Sequence, residues 1–115
     1  MKLVQYHREL KDLGCIICLT KQGLNLHHVL GGSIAKAGIE KGLALKVSDW
    51  LVIPLCINHH VGREGIHQIG VMTWENKFDT QLKYLKTLSN LYKINVFEKA
   101  GYSYDAKLDR YYKNH

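Results

Sequence analysis

Leu3, Tyr6, Leu10 and Leu13 fall three or four residues apart among charged neighbours, and Gly14 follows at once. That spacing predicts an amphipathic first helix over residues 2–13, ended by the glycine. "CIICL" (15–19) then reads as a tight turn, because C-x2-C bends the backbone enough to aim two sulfurs at one point. "LNLHHVL" (24–30) is a short extended segment with strand-forming residues. "WLVIPLC" (50–56) is the strongest strand pattern in the chain, and its Pro54 suits an edge or a strand end. Between these two, "GGSIAKAGIEKGLALKVSD" (31–49) carries four glycines and little apolar periodicity, which predicts a loop with at most one helical turn. Val71, Trp74, Phe78, Leu82, Leu85 and Tyr92 line one face of a long amphipathic helix expected from Val71 to near Lys93. The tail "NVFEKAGYSYDAKLDRYYKNH" (95–115) mixes tyrosine with charge and predicts little beyond a short helix after Ser103. No internal repeat or low-complexity segment interrupts the chain, so a single domain over 1–115 is expected.

Composition narrows this. An apolar fraction of 46% in 115 residues is that of a globular domain with one core. No apolar run approaches bilayer length, and "MKLVQYHREL" is charged and amphipathic rather than a signal peptide, which suits a bacterial or phage cytoplasmic protein without membrane partners. Cys15, Cys18 and Cys56 are an odd number, a count better suited to metal binding than to a disulfide framework. Sixteen Lys and Arg against ten acids, a net charge of +6, favour an anionic partner such as nucleic acid.

Two groups of residues carry candidate chemistry. Cys15-x2-Cys18 and Cys56-x2-His59 form two knuckle pairs separated by 37 residues, the four soft or borderline ligands that tetrahedral zinc requires. The alternative reading is of small buried cysteines or a redox dithiol, and no thioredoxin-like strand–helix unit surrounds the pair. The second group is His27, His28, His60 and His67. An isolated His-His pair is more often a surface or satisfied core feature than a site. Here two such pairs sit on the knuckle elements themselves, with a third histidine beyond. If His59 closes the zinc site, His60 faces away from it toward a second centre with His67; in an extended "LHHV", His27 and His28 likewise face different ways.

The order C-x2-C, then HH, then a strand into "PLC-x2-HH", then a glycine-containing loop with a further histidine and "TWE", resembles the HNH (ββα-metal) endonucleases. More narrowly it resembles the phage-encoded Ref-like branch of RecA-dependent recombination-enhancement nucleases. The resemblance covers roughly residues 10–80. It implies an α+β fold: a ββα-metal core with zinc knuckles, preceded by the N-terminal helix and followed by a long C-terminal helix and tail over 71–115. It further implies that His27, His60 and His67 ligate a catalytic divalent ion (Mg²⁺ or Mn²⁺, or Zn²⁺ as purified), that His28 is the general base, and that DNA is the substrate. Two positions depart from the family. Leu51 stands where the family carries its middle asparagine, leaving Asp49 as the candidate orienting residue, and His59 replaces the last knuckle cysteine, so three thiolates and one imidazole would hold the structural zinc. The relatives' recombinase filament is a partner by implication alone; their recombinase-loading extension is not evident here.

The chemistry is coherent without the family. Phosphodiester hydrolysis needs a water deprotonated near neutral pH, which suits histidine, and a cation to neutralise developing charge. Lys36, Lys41, Lys46 and Arg63 flank the site and are candidate phosphate contacts, each equally readable as a solvated loop residue. Nothing in the chain encodes base readout, so weak sequence specificity is expected. The competing class is a non-catalytic zinc module that binds nucleic acid, in which the histidines are incidental.

Overall fold

The computed structural model describes residues 1–40 and 47–114. It is an α+β structure of short elements around one core. Helix α1 (Leu3–Leu13) buries Tyr6 and Leu10, the inner face anticipated from its spacing. Gly14 ends it at φ +94°, where an added Cβ would press on the Leu19 carbonyl, so glycine is required at this corner. The chain then turns through the knuckle of Cys15–Cys18, which is tied to the next layer by the Ile16 N–H donating to the Pro54 carbonyl at 2.9 Å.

Strand β1 (Asn25–His28) pairs antiparallel with β2 (Val52–Leu55), His27 opposite Ile53 and His28 opposite Val52. All four β2 residues are buried, which explains its continuous apolar run. Pro54 is tolerated because both strands of a two-stranded ribbon are edges. Between the strands, among the described residues, lies one short helix, α2 (Gly32–Lys36). After β2 come two one-turn helices, α3 (Ile57–His60) and α4 (Ile66–Ile69).

The expected long helix from Val71 to Lys93 is instead two helices, α5 (Val71–Lys77) and α6 (Gln81–Tyr92). Phe78 leaves helical geometry, and Thr80 caps a new start, its side chain accepting from the Lys83 N–H. A capping threonine offers the backbone a better partner than continuation would. The expected helix after Ser103 is also corrected. A short helix α7 (Val96–Lys99) precedes it, and β3 (Tyr102–Asp105) and β4 (Arg110–Lys113) form an antiparallel hairpin. The hairpin is held by Phe97 stacking on Tyr111 at 4.4 Å between centroids. It docks on the turn after α2 through the Tyr111 N–H to the Ala37 carbonyl (2.7 Å) and the Tyr102 hydroxyl to the Glu40 carbonyl (3.0 Å). Among the described residues no helix is long and apolar enough to cross a membrane.

Candidate metal centres and histidine cavity

His59 and His60 lie on one turn of α3, where successive side chains diverge by about 100°. The helix therefore sends His59 to one side and His60 to the other. Cys56 caps this turn and sits three residues before His59, on the same face.

On that face Cys15, Cys18, Cys56 and His59 bring one ligand atom each to within 4.8 Å of one another. The Cys18 and Cys56 sulfurs are 3.8 Å apart, and His59 Nδ1 is 3.7 Å from Cys15 Sγ and 3.1 Å from Cys56 Sγ. Two thiolates bound to one tetrahedral zinc stand about 3.8 Å apart, given Zn–S bonds near 2.3 Å. The donor set and its spacing therefore fit a structural metal such as zinc, with His59 ligating through Nδ1. His59 Nε2 faces the Glu64 carboxylate at 3.7 Å, and that carboxylate is held by Lys77 at 2.7 Å. Behind the site the buried Trp74 indole donates to the His59 carbonyl at 3.2 Å. Burial pushes the Cys15 thiol up, but backbone hydrogen bonds from Cys56, Cys18 and Ile17 outweigh it and leave the group below its ordinary value. Cys56 moves the other way, raised by burial and by its neighbouring thiols.

On the opposite face His27, His60 and His67 converge, with ligand nitrogens again within 4.8 Å and ring centroids 4.7–5.1 Å apart. His27 is buried, His60 half-buried and His67 exposed. Burial, aided by the neighbouring histidines, holds His27 down to about 3, so it is neutral with a free lone pair across the ordinary pH range. His60 is lowered by burial and by His67. The neutral forms that these environments favour are the ones that bind a cation.

His28, the next residue of β1, stands outside that trio although it lines the same cavity. Its Nε2 lies 2.7 Å from Asp49 Oδ1. Asp49 is itself fixed through its backbone, the carbonyl accepting from His7 Nε2 at 2.7 Å. Leu51, at the family's asparagine position, is fully buried, and its carbonyl accepts from Val29. The four residues His27, His28, His60 and His67 all open into one cavity of about 600 Å³, whose other walls are largely aliphatic.

Of the candidate phosphate contacts, Lys36 and Arg63 are exposed, and neither is among the cavity's described walls. Lys41 and Lys46 lie outside the described residues. Sequence reasoning did not single out His7, Glu64, Ser33 or Gln81; it met Glu75 only as part of "TWE", and Trp74 there and as a core-facing helix residue. Gln81 is fully buried and bonded to His27 at 3.1 Å. No family model, no curated protein and no solved structure matches this chain.

Proposed function

We propose that this protein is a metal-dependent endonuclease of the HNH (ββα-metal) type, hydrolysing DNA phosphodiester bonds with little sequence specificity. The observation that carries this reading is the division of labour between adjacent histidines in one cavity. His27 joins His60 and His67, while His28 is held by a carboxylate beside them. A two-stranded ribbon followed by short helices that present His60 and His67 agrees with the resemblance in the sequence.

A divalent ion such as Mg²⁺ or Mn²⁺, held by His27, His60 and His67, would supply positive charge against the phosphate and the leaving oxygen. The remaining work belongs to the chain. Asp49 accepts from His28 Nε2–H, so the ring's lone pair sits on Nδ1, where it can take a proton from the attacking water. The Asp49 carboxylate then faces the imidazolium that forms. Cys15, Cys18, Cys56 and His59 would hold a structural zinc that keeps α3, and with it His60, in place. Exposed Lys36 and Arg63 would contribute to a non-specific grip on phosphates. DNA processing of the phage or prophage recombination type, in the bacterial cytoplasm, follows from the resemblance, with a recombinase filament as a further candidate partner.

The test is plasmid nicking by the purified protein with and without Mg²⁺ or Mn²⁺, beside a His28→Ala control. Divalent-dependent nicking that the control lacks is expected. Zinc-dependent DNA binding without cleavage under either ion would assign the non-catalytic module instead.

A further inference from the structure

Gln81 is the first residue of α6, wholly buried, with both side-chain polar atoms and its backbone N–H hydrogen-bonded. Its amide orientation is set by backbone groups whose roles are not in doubt. Oε1 accepts from the Leu30 N–H at 3.1 Å, and Nε2 donates to the Leu30 carbonyl at 2.7 Å. The Glu75 carboxylate fixes the same polarity, accepting from Gln81 Nε2 at 3.3 Å and from its backbone N–H at 2.8 Å. Glu75 in turn accepts from the Ser33 N–H (3.0 Å) and hydroxyl (2.6 Å). The glycines of "GGS" make room for this: Gly31 and Gly32 have positive φ, and a Cβ on Gly32 would collide with the Glu75 carboxylate.

With Oε1 fixed as an acceptor, the His27 Nε2 that faces it at 3.1 Å must carry a hydrogen. The other tautomer would oppose two lone pairs in a buried site and leave the His27 nitrogen without a donor, while Oε1 would keep only its Leu30 partner. We propose that Gln81 is a positioning residue that fixes His27 as its Nε2–H tautomer, leaving Nδ1 as the one nitrogen of that ring able to ligate a divalent cation at the three-histidine cluster. The inference rests on the reading of that cluster as a metal site, and it adds an outer ring, Gln81–Glu75–Ser33, that orients its most buried ligand. Groups behind a metal-bound histidine commonly change metal affinity by about 10–100-fold when removed.

The tautomer is read from long-range nitrogen–proton NMR couplings of the His27 ring in the full chain before any divalent ion is added. Affinity is read by calorimetric titration with Mn²⁺. The wild-type ring is expected as Nε2–H. Gln81→Met, which keeps volume but removes the acceptor, is expected to populate both tautomers and to weaken Mn²⁺ binding about 10–100-fold. Gln81→Glu, which returns an oxygen acceptor facing His27 Nε2, is expected to recover the tautomer and most of the affinity. A wild-type His27 found as Nδ1–H overturns the proposal even if the variants do not fold. So does a folded Gln81→Met with an unchanged tautomer and Mn²⁺ affinity within twofold of wild type, or a wild type that binds no Mn²⁺. Absence of nicking beside the expected tautomer and affinity changes would overturn the nuclease reading and leave this inference standing.

Discussion

His59 and His60 share a peptide bond yet belong to different clusters, so single substitutions here should produce different failures. His59→Ala removes an imidazole 3.1 Å from Cys56 Sγ and is expected to lower thermal stability and zinc content together. His60→Ala should leave the melting temperature nearly unchanged and weaken Mn²⁺ binding, so that part of the lost nicking rate returns at high metal concentration. Melting curves, elemental analysis and nicking rates on the pair decide it; identical behaviour of the two variants would refute the two-site assignment. His28→Ala is expected to keep Mn²⁺ and DNA binding and to slow cleavage by about 10²–10⁴-fold, the usual contribution of a positioned base. At Asp49 the tautomer argument gives an order: Asn can still accept the His28 Nε2–H through its amide oxygen and Ala cannot. Asp49→Asn should therefore cleave faster than Asp49→Ala, and the reverse order would remove Asp49 from the orienting role.

The break between α5 and α6 belongs to the scale of elements, because it turns Gln81 inward onto β1. Thr80→Ala removes the cap on the Lys83 N–H at 3.1 Å and should cost about 1 kcal/mol, a fall of roughly 4 °C in melting temperature. Gly32→Ala should cost more, since it combines a φ of +46° with a collision at Glu75. Differential scanning calorimetry checks both, and a Gly32→Ala protein as stable as wild type would contradict the close packing of that corner. The sequence pattern missed this break for a physical reason. Val71, Trp74, Phe78, Leu82 and Leu85 all face the core, so the apolar period runs on across a chain that does not. The missed signal was "DT", two capping residues ahead of a fresh apolar run. The tail hid its hairpin similarly: "YSY" and "RYY" are strand-forming, but Tyr104 and Tyr112 remain exposed, so no apolar alternation marks a buried face. The first helix, the two central strands and the two Cys/His pairs that meet in one cluster were legible because spacing within a few residues determines them. Gln81 was not, because its meaning depends on a contact 54 residues away.

At the scale of the whole molecule, charge and metal act on every element at once. A net charge of +6 predicts DNA affinity that falls with salt, with a slope of about −0.9 in log K against log salt for each phosphate neutralised on duplex DNA. An affinity unchanged by a fourfold rise in salt would count against phosphate contacts as the main grip. Metal removal should separate the two clusters. The Cys15, Cys18, Cys56 and His59 group joins the segment after α1 to the end of β2 and to α3, three parts of one core. Structural zinc contributes apparent binding energies of about 10–16 kcal/mol, comparable to or larger than the whole stability of a typical domain. The three-histidine cluster lies on the cavity wall, with His67 exposed, and exchange of its ion should leave the core intact. Passage into buffer without Mg²⁺ or Mn²⁺ should therefore abolish nicking with no change in circular dichroism, reversed on adding the ion back. A high-affinity zinc chelator should instead unfold the chain, and Cys15→Ser should lower the melting temperature of protein never exposed to chelator. If chelator removes zinc while helix content and melting persist, or if Cys15→Ser melts as wild type does, the four-residue cluster does not hold the fold together.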